Sequence, residues 1–243
     1  SEEERVEELL RRIEKLLKES EEDVERLKKR HEEENRRLKE EVKRLMDELR
    51  EILRRLEEET GEDRLVDILR EIARRLEELL KRILELHDRS ARILEELLER
   101  DLELLKEIVT EAKRVLEIIK RDGPTEEVKK ELERLKKRVD EILKRSKDEV
   151  RKWKKAVEDA IRELRKLLKE VKDRVKELIE RQRRDKDVDK LVEVLDRVLR
   201  RVRELLEELA ETNRESIRRY ERLSEKNAEL VTEIIERLRR TVK

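Results

Sequence analysis

The stretch IIKRDGPTEEVKKEL, residues 118–132, decides the fold, because it stops one helix and starts another within a few residues. Gly123 suits the left-handed position that follows a helix end. Pro124 cannot continue a helix, and the Thr125 hydroxyl can cap the next one. Apolar residues recur at helical spacing on both sides of this corner. A link so short makes its two flanking helices antiparallel neighbours.

Working outward, two further corners divide the chain. Thr60-Gly61-Glu62-Asp63 repeats the glycine stop, with Asp63 as the next cap. Arg184-Asp185-Lys186-Asp187 lacks glycine and is marked only by Asp185 or Asp187 as a cap. Ser1-Glu2-Glu3-Glu4 reads as a capping box at the first helix start. The corners delimit four segments of nearly equal length, at about 2–60, 63–121, 125–184 and 187–242. At the rise of an α-helix each would be about 85 Å long. The expected fold is all-α: a single-chain, antiparallel up-down-up-down four-helix bundle with very long, nearly straight, coiled-coil-like helices. Residues 1–243 are expected to form one domain.

The apolar stripe has the spacing such a bundle needs. Val6, Leu10, Ile13 and Leu17, and later Leu38, Val42, Leu45, Leu49, Ile52 and Leu56, follow alternating steps of three and four. Two successive four-residue steps interrupt this at Leu27–His31–Asn35 and at Ile142–Ser146–Val150, and Leu209–Asn213 marks a similar place in helix four. Such a stutter spreads its turns at about 3.6 residues each, so supercoiling should relax there to a slight left-handed twist. Helix two is richer, with doubled positions at Leu79-Leu80, Ile83-Leu84, Leu97-Leu98 and Leu104-Leu105. Either helices two and four occupy the short diagonal of a rhombic section, which is the favoured reading, or helix two offers surface to a second chain.

Composition excludes several function classes. Charged residues are 57% of the chain and apolar ones 35%, with Lys+Arg and Asp+Glu equal at 69 each. The signs are interleaved locally, as in Glu21-Glu22-Asp23 followed by Lys28-Lys29-Arg30, so the cationic field that nucleic acid requires is missing. No apolar run is long enough to span a bilayer. The chain begins at Ser1 without an initiator Met, as expected after removal of a leader or tag, and no signal peptide is recognisable. Without cysteine there is neither a disulfide nor thiol chemistry.

The informative residues are polar ones on the apolar seam. Folding the chain at its corners places residue i of helix one level with roughly residue 123 minus i of helix two, given a uniform rise. His31, Asn35, His87, Ser90, Trp153, Asn213, Ser216 and Tyr220 then share one height. Ser20, Asp101, Ser146, Ser224 and Asn227 share a second. Helix one has no apolar residue from Lys28 to Arg37, which marks the first of these slabs. An unpartnered buried polar atom costs a few kcal/mol, so polar residues enter a core when they satisfy one another. These side chains supply complementary donors and acceptors. Sliding one helix by a turn would strand them against leucine, so the layers would fix register.

The same residues make poor chemistry. A di-metal bundle site needs Glu three residues before each His. Lys28 and Leu84 stand at those positions. His31 and His87 alone are two ligands where a structural zinc needs four. Ser90 and His87 share a helix turn without an oxyanion hole. The only glycines, Gly61 and Gly123, lie in turns, so there is no phosphate-binding loop. Trp153 reads as a core filler with a bonded indole. No catalytic, cofactor-binding or metal-binding residue is expected, and no cofactor.

Uniform Glu/Lys/Arg/Leu helices, the Gly61 and Asp122-Gly123-Pro124-Thr125 corners, and stacked His/Asn/Ser/Tyr/Trp layers resemble de novo designed helical bundles with buried hydrogen-bond networks. That family includes modular heterodimers and cage-and-latch switches, and the resemblance covers the whole chain. It implies a thermostable monomeric scaffold whose networks specify helix pairing. It further implies no catalysis, no natural compartment, and a soluble product in the cytoplasm of a recombinant host. The helices are longer than usual for the family, and no latch segment is visible. The alternative is an interaction module or switch component that engages a designed helical partner, or a second copy, through a leucine-rich face. A natural rod protein of spectrin-like or filament type would carry irregular loops with some Phe and Gln, nearly all missing here. Nucleic acid, membrane and small-molecule substrate are not expected as partners.

Overall fold

The computed structural model describes residues 1–59, 64–181 and 186–242. It contains four α-helices: α1 (Glu2–Glu59), α2 (Arg64–Asp122), α3 (Glu126–Arg181) and α4 (Lys186–Thr241). The described chain is a helical bundle of long helices, and their ends fall within a few residues of those expected. Two of the three corners, and with them Gly61, Asp63 and Asp185, lie outside the described residues, as does the side chain of Asp187.

The described corner is built as its residues dictate. The Gly123 amide donates to the Ile119 carbonyl at 2.9 Å, closing the end of α2. Gly123 adopts φ +73°, which favours glycine, although nothing lies within 4 Å of where a Cβ would stand. The requirement is therefore one of backbone conformation, not of space. Thr125 Oγ1 accepts the Val128 amide at 3.3 Å, so one orphan donor at the start of α3 is satisfied. At the first helix start, Ser1 Oγ accepts the Glu4 amide at 3.3 Å.

The helices are sustained by strong helix formers and by pairs one turn apart, such as Arg37 to Glu33 and Arg75 to Glu71, both 2.9 Å. Each exposed pair contributes only about 0.3–0.5 kcal/mol. Burial of the stripes supplies the larger part of the driving force.

The described residues group into two compact units. One comprises Ser1–Arg30, Arg92–Lys154 and Ser216–Lys243 (the first unit). The other comprises His31–Ala91 and Lys155–Glu215 (the second unit). Each takes a section of all four helices and encloses its own core. Val6, Ile13, Ala112, Leu132 and Leu238 are among the buried residues of the first. Leu49, Leu69, Leu76, Val171 and Leu195 are among those of the second. The doubled positions of α2 are buried or half-buried throughout, and Ile179 is the one large apolar side chain exposed among the described residues.

Ion pairs join neighbouring helices around a closed ring in each unit. In the second unit Arg50–Glu77 links α1 to α2 and Arg82–Glu163 links α2 to α3. There the bidentate Arg165–Glu207 pair links α3 to α4, and Arg201–Glu41 returns α4 to α1. In the first unit the ring runs through Lys28–Glu99, Arg100–Glu149, Lys154–Glu221 and Arg237–Glu2. These pairs identify each helix's neighbours within each unit. A ring so arranged leaves α2 and α4 facing each other across the middle.

Candidate functional site

Three polar side chains are buried among the described residues, Ser90 (5% exposed), Ser146 (5%) and Asn213 (4%), and the Tyr220 ring is buried at 1%. All four stand at positions where the seam calls for leucine. Their partners decide what the core can do.

In the second unit, Ser90 on α2 donates to Asn213 Oδ1 on α4, and Asn213 Nδ2 donates to the Leu209 carbonyl at 2.9 Å. The asparagine is thus held from both ends, by its own helix and by the helix opposite. Closer to α1, Asn35 Nδ2 donates to Asp88 Oδ1 at 3.2 Å. His87 Nδ1 lies 2.5 Å from Asn35 Oδ1. Because the carboxylate only accepts, Asp88 fixes which end of the Asn35 amide faces it. The amide oxygen is left for His87, so Nδ1 must carry the ring proton. Burial pushes the His87 pKa below its ordinary 6.5. The Glu34 and Asp88 charges push it back, and His31 adds to the depression. His31 itself is half-buried.

In the first unit, the Tyr220 hydroxyl on α4 donates to Asp101 Oδ2 on α2 at 2.5 Å. Burial raises the pKa of both groups. The Tyr220 bond and the Arg100 charge partly counter this at Asp101, while Glu149 reinforces it. At Tyr220 the Asp101 charge reinforces the rise, and a hydrogen bond with Ser146 and the Arg100 charge oppose it. A phenol held so far above its usual range is a fixed donor at neutral pH. Arg100 pairs with Glu149 at 2.5 Å.

The sequence puts Tyr220 at the height of His31 and His87 and puts Asp101 in the other layer. The structure instead joins Tyr220 to Asp101 and, through its hydroxyl, to Ser146. A tyrosine hydroxyl lies roughly one helical turn from its own Cα, so Cα height misplaces it. Asn35 with His87 and Ser90 with Asn213 do meet, as short side chains at equal height should. Trp153 is buried and Ser216 half-buried, both in the first unit. Ser20, Ser224 and Asn227 are half-buried and line pockets of the first unit. Asp88, Arg100 and Glu149 were missed. They are three among many charged residues, and nothing in the seam periodicity separates them from the solvated face.

Among the described residues, no three His, Cys, Asp or Glu side chains group closely enough to hold a metal ion. No described helix is long and apolar enough to cross a membrane.

No protein-family model and no curated protein matches the chain. A solved structure described as a "Computationally designed three helix bundle" is similar at a TM-score of 0.37 and 16% sequence identity, over 94% of each chain.

Proposed function

We propose that the chain is a designed, non-catalytic structural scaffold in which polar side chains inside the bundle specify how the helices pair. One observation carries this reading. Each unit, taken by itself, has a side-chain hydrogen bond from α2 to α4 within an apolar core, Ser90 to Asn213 in one and Tyr220 to Asp101 in the other. Sliding α4 by a turn against α2 would break both and bury their polar atoms unpaired, at about 1–3 kcal/mol each. Leucine at those positions would build a core as well, so their value lies in excluding other registers. The closed rings of ion pairs favour the same neighbours.

The interaction-module alternative requires a leucine-rich face open to solvent. The doubled leucines of α2 are covered or half-covered, which favours the scaffold reading. Light scattering after size exclusion tests it: the scaffold is a monomer at all concentrations, and an interaction module self-associates or waits for a helical partner. Replacing His31, His87 and Asn213 together by Leu should leave a folded protein with a less uniquely paired state. A single monomer with unchanged, sharp NMR dispersion in that variant rejects the specificity role.

A further inference from the structure

One groove of the second unit departs from the charge balance of the chain. It runs between α3 and α4 with a volume of about 540 Å³. Six cations line it against two acids, Asp196 and Glu207, although Lys+Arg and Asp+Glu are equal over the whole sequence. Both acids are already engaged, Glu207 with Arg165 at 3.0 Å and Asp196 with Arg200 at 3.3 Å. Lys169, Lys172, Lys176 and Arg203 are exposed and have no ion pair among the described residues.

Register sharpens the imbalance. The bidentate Arg165–Glu207 pair sets those two residues level on antiparallel helices. One turn on, Lys169 of α3 then stands level with Arg203 of α4, and the next turn brings Lys172 level with Arg200. The ion-pair rings set a cation against an acid at each contact, whereas these two levels set cation against cation. Like charges so placed repel, and an anion between them turns the repulsion into attraction. The groove also has an apolar part. Leu168, Val175 and Leu199 line it, and so does Ile179, the one large apolar side chain exposed among the described residues, at 44%.

We propose that this groove binds a phosphate monoester of a short alkyl chain. The phosphate sits between the Lys169–Arg203 and Lys172–Arg200 levels, and the chain lies along Val175 toward Ile179. The two levels are about 4.5 Å apart. A phosphate monoester brings three acceptor oxygens and a charge of about −1.5 to −2 at pH 7, so it can meet lysines and a guanidinium together. A carboxylate brings fewer oxygens and less charge. From Lys172 to Ile179 the helix advances about 10 Å, which leaves room for a chain beyond the headgroup. The volume is usual for a site holding one small ligand. None of these residues belongs to the polar contacts inside the bundle, so the site stands or falls separately from the scaffold reading.

The test is a ¹H–¹⁵N NMR titration of the full-length protein at pH 7 and low salt with hexyl phosphate, inorganic phosphate, hexanoate and hexanol. Hexyl phosphate should give saturable shifts around Lys169, Val175, Ile179 and Arg203, with a Kd of about 1 mM or tighter. It should bind at least about tenfold more tightly than each of the other three. Lys172→Gln combined with Arg203→Gln, both at exposed positions, should weaken hexyl phosphate at least about tenfold. Ile179→Ser should weaken hexyl phosphate and leave inorganic phosphate unchanged. No saturable shift at about 10 mM overturns the proposal, as does any of the three controls binding as tightly as hexyl phosphate. Undiminished affinity in the folded double variant overturns it too.

Discussion

Tyr220 on α4 and Asp101 on α2 meet at 2.5 Å, and the carboxylate has no other hydrogen bond among the described residues. The phenol is therefore the main support of a charge held mostly out of water. Hydrogen bonds to charged groups contribute about 1.5–3 kcal/mol. Tyr220→Phe, which keeps the ring and deletes the donor, should destabilise the protein by about that amount in urea unfolding at pH 7. It should also raise the Asp101 pKa further, which a carboxyl ¹³C titration reads directly. A loss of only a few tenths of a kcal/mol would mean that Asp101 is satisfied by another group.

Asp101 also leaves a signature in the pH dependence of stability. Its folded pKa is raised above the ordinary 3.8, chiefly by burial. The folded state thus holds the proton more tightly than the unfolded state. The resulting stabilisation is complete below pH 3.8 and is lost as pH rises through the folded pKa. Asp101→Asn removes this titration and still accepts from Tyr220. The gap in unfolding free energy between unmodified protein and variant should shift in the variant's favour as pH rises from 3.8 through the folded pKa, then level off. A gap that does not vary with pH would place Asp101 in an ordinary solvated setting.

How far the sequence could be read depended on the length of the side chain in question. The corner at Gly123 was legible because a glycine stop, a proline and a threonine cap act on the backbone within one turn. The sequence puts Asn35, His87, Ser90 and Asn213 at one height without saying which of them pair, and only packing selects Asn35 for His87 and Ser90 for Asn213. Tyr220 was misassigned because its hydroxyl reaches a turn away. The ion-pair rings were not legible at all. With 57% of residues charged, most positions offer an acid or a base, and only packing selects Arg165 for Glu207 or Arg201 for Glu41. Asp88 was hidden for the same reason, although it fixes the orientation of the Asn35 amide.

Ser90 and Asn213 should behave as a unit. Asn213→Leu removes the acceptor and leaves the buried Ser90 hydroxyl without its α4 partner, at a cost of about 1–3 kcal/mol offset in part by the gained apolar surface. Adding Ser90→Ala removes the donor of the same contact. The double variant should then lie closer to the unmodified protein than the two single losses sum to, with a coupling of about 0.5–3 kcal/mol. Urea unfolding of the four proteins measures it. Strict additivity would show that the contact is incidental.

The imidazole of His87 provides the last check, because its proton position follows from a chain of three residues. Asp88 can only accept, so it takes the amide nitrogen of Asn35. The amide oxygen then faces His87, so the neutral ring must be protonated on Nδ1. This is a definite tautomer, and ring ¹⁵N shifts distinguish it from the Nε2–H form. Protonating Nε2 at low pH leaves the Asn35 bond in place, so acid is not expected to break this contact. Burial depresses the folded pKa below 6.5, so the unfolded state binds the proton more readily. The stability linked to His87 is therefore complete above pH 6.5 and is lost as pH falls through the folded pKa. His87→Leu should abolish that component, which urea unfolding of both proteins across this pH range reads as a difference. A ring found as the Nε2–H tautomer would mean that the Asn35 amide is turned the other way and that Asp88 is not its partner; a ring titrating above 6.5 would mean that burial does not govern it.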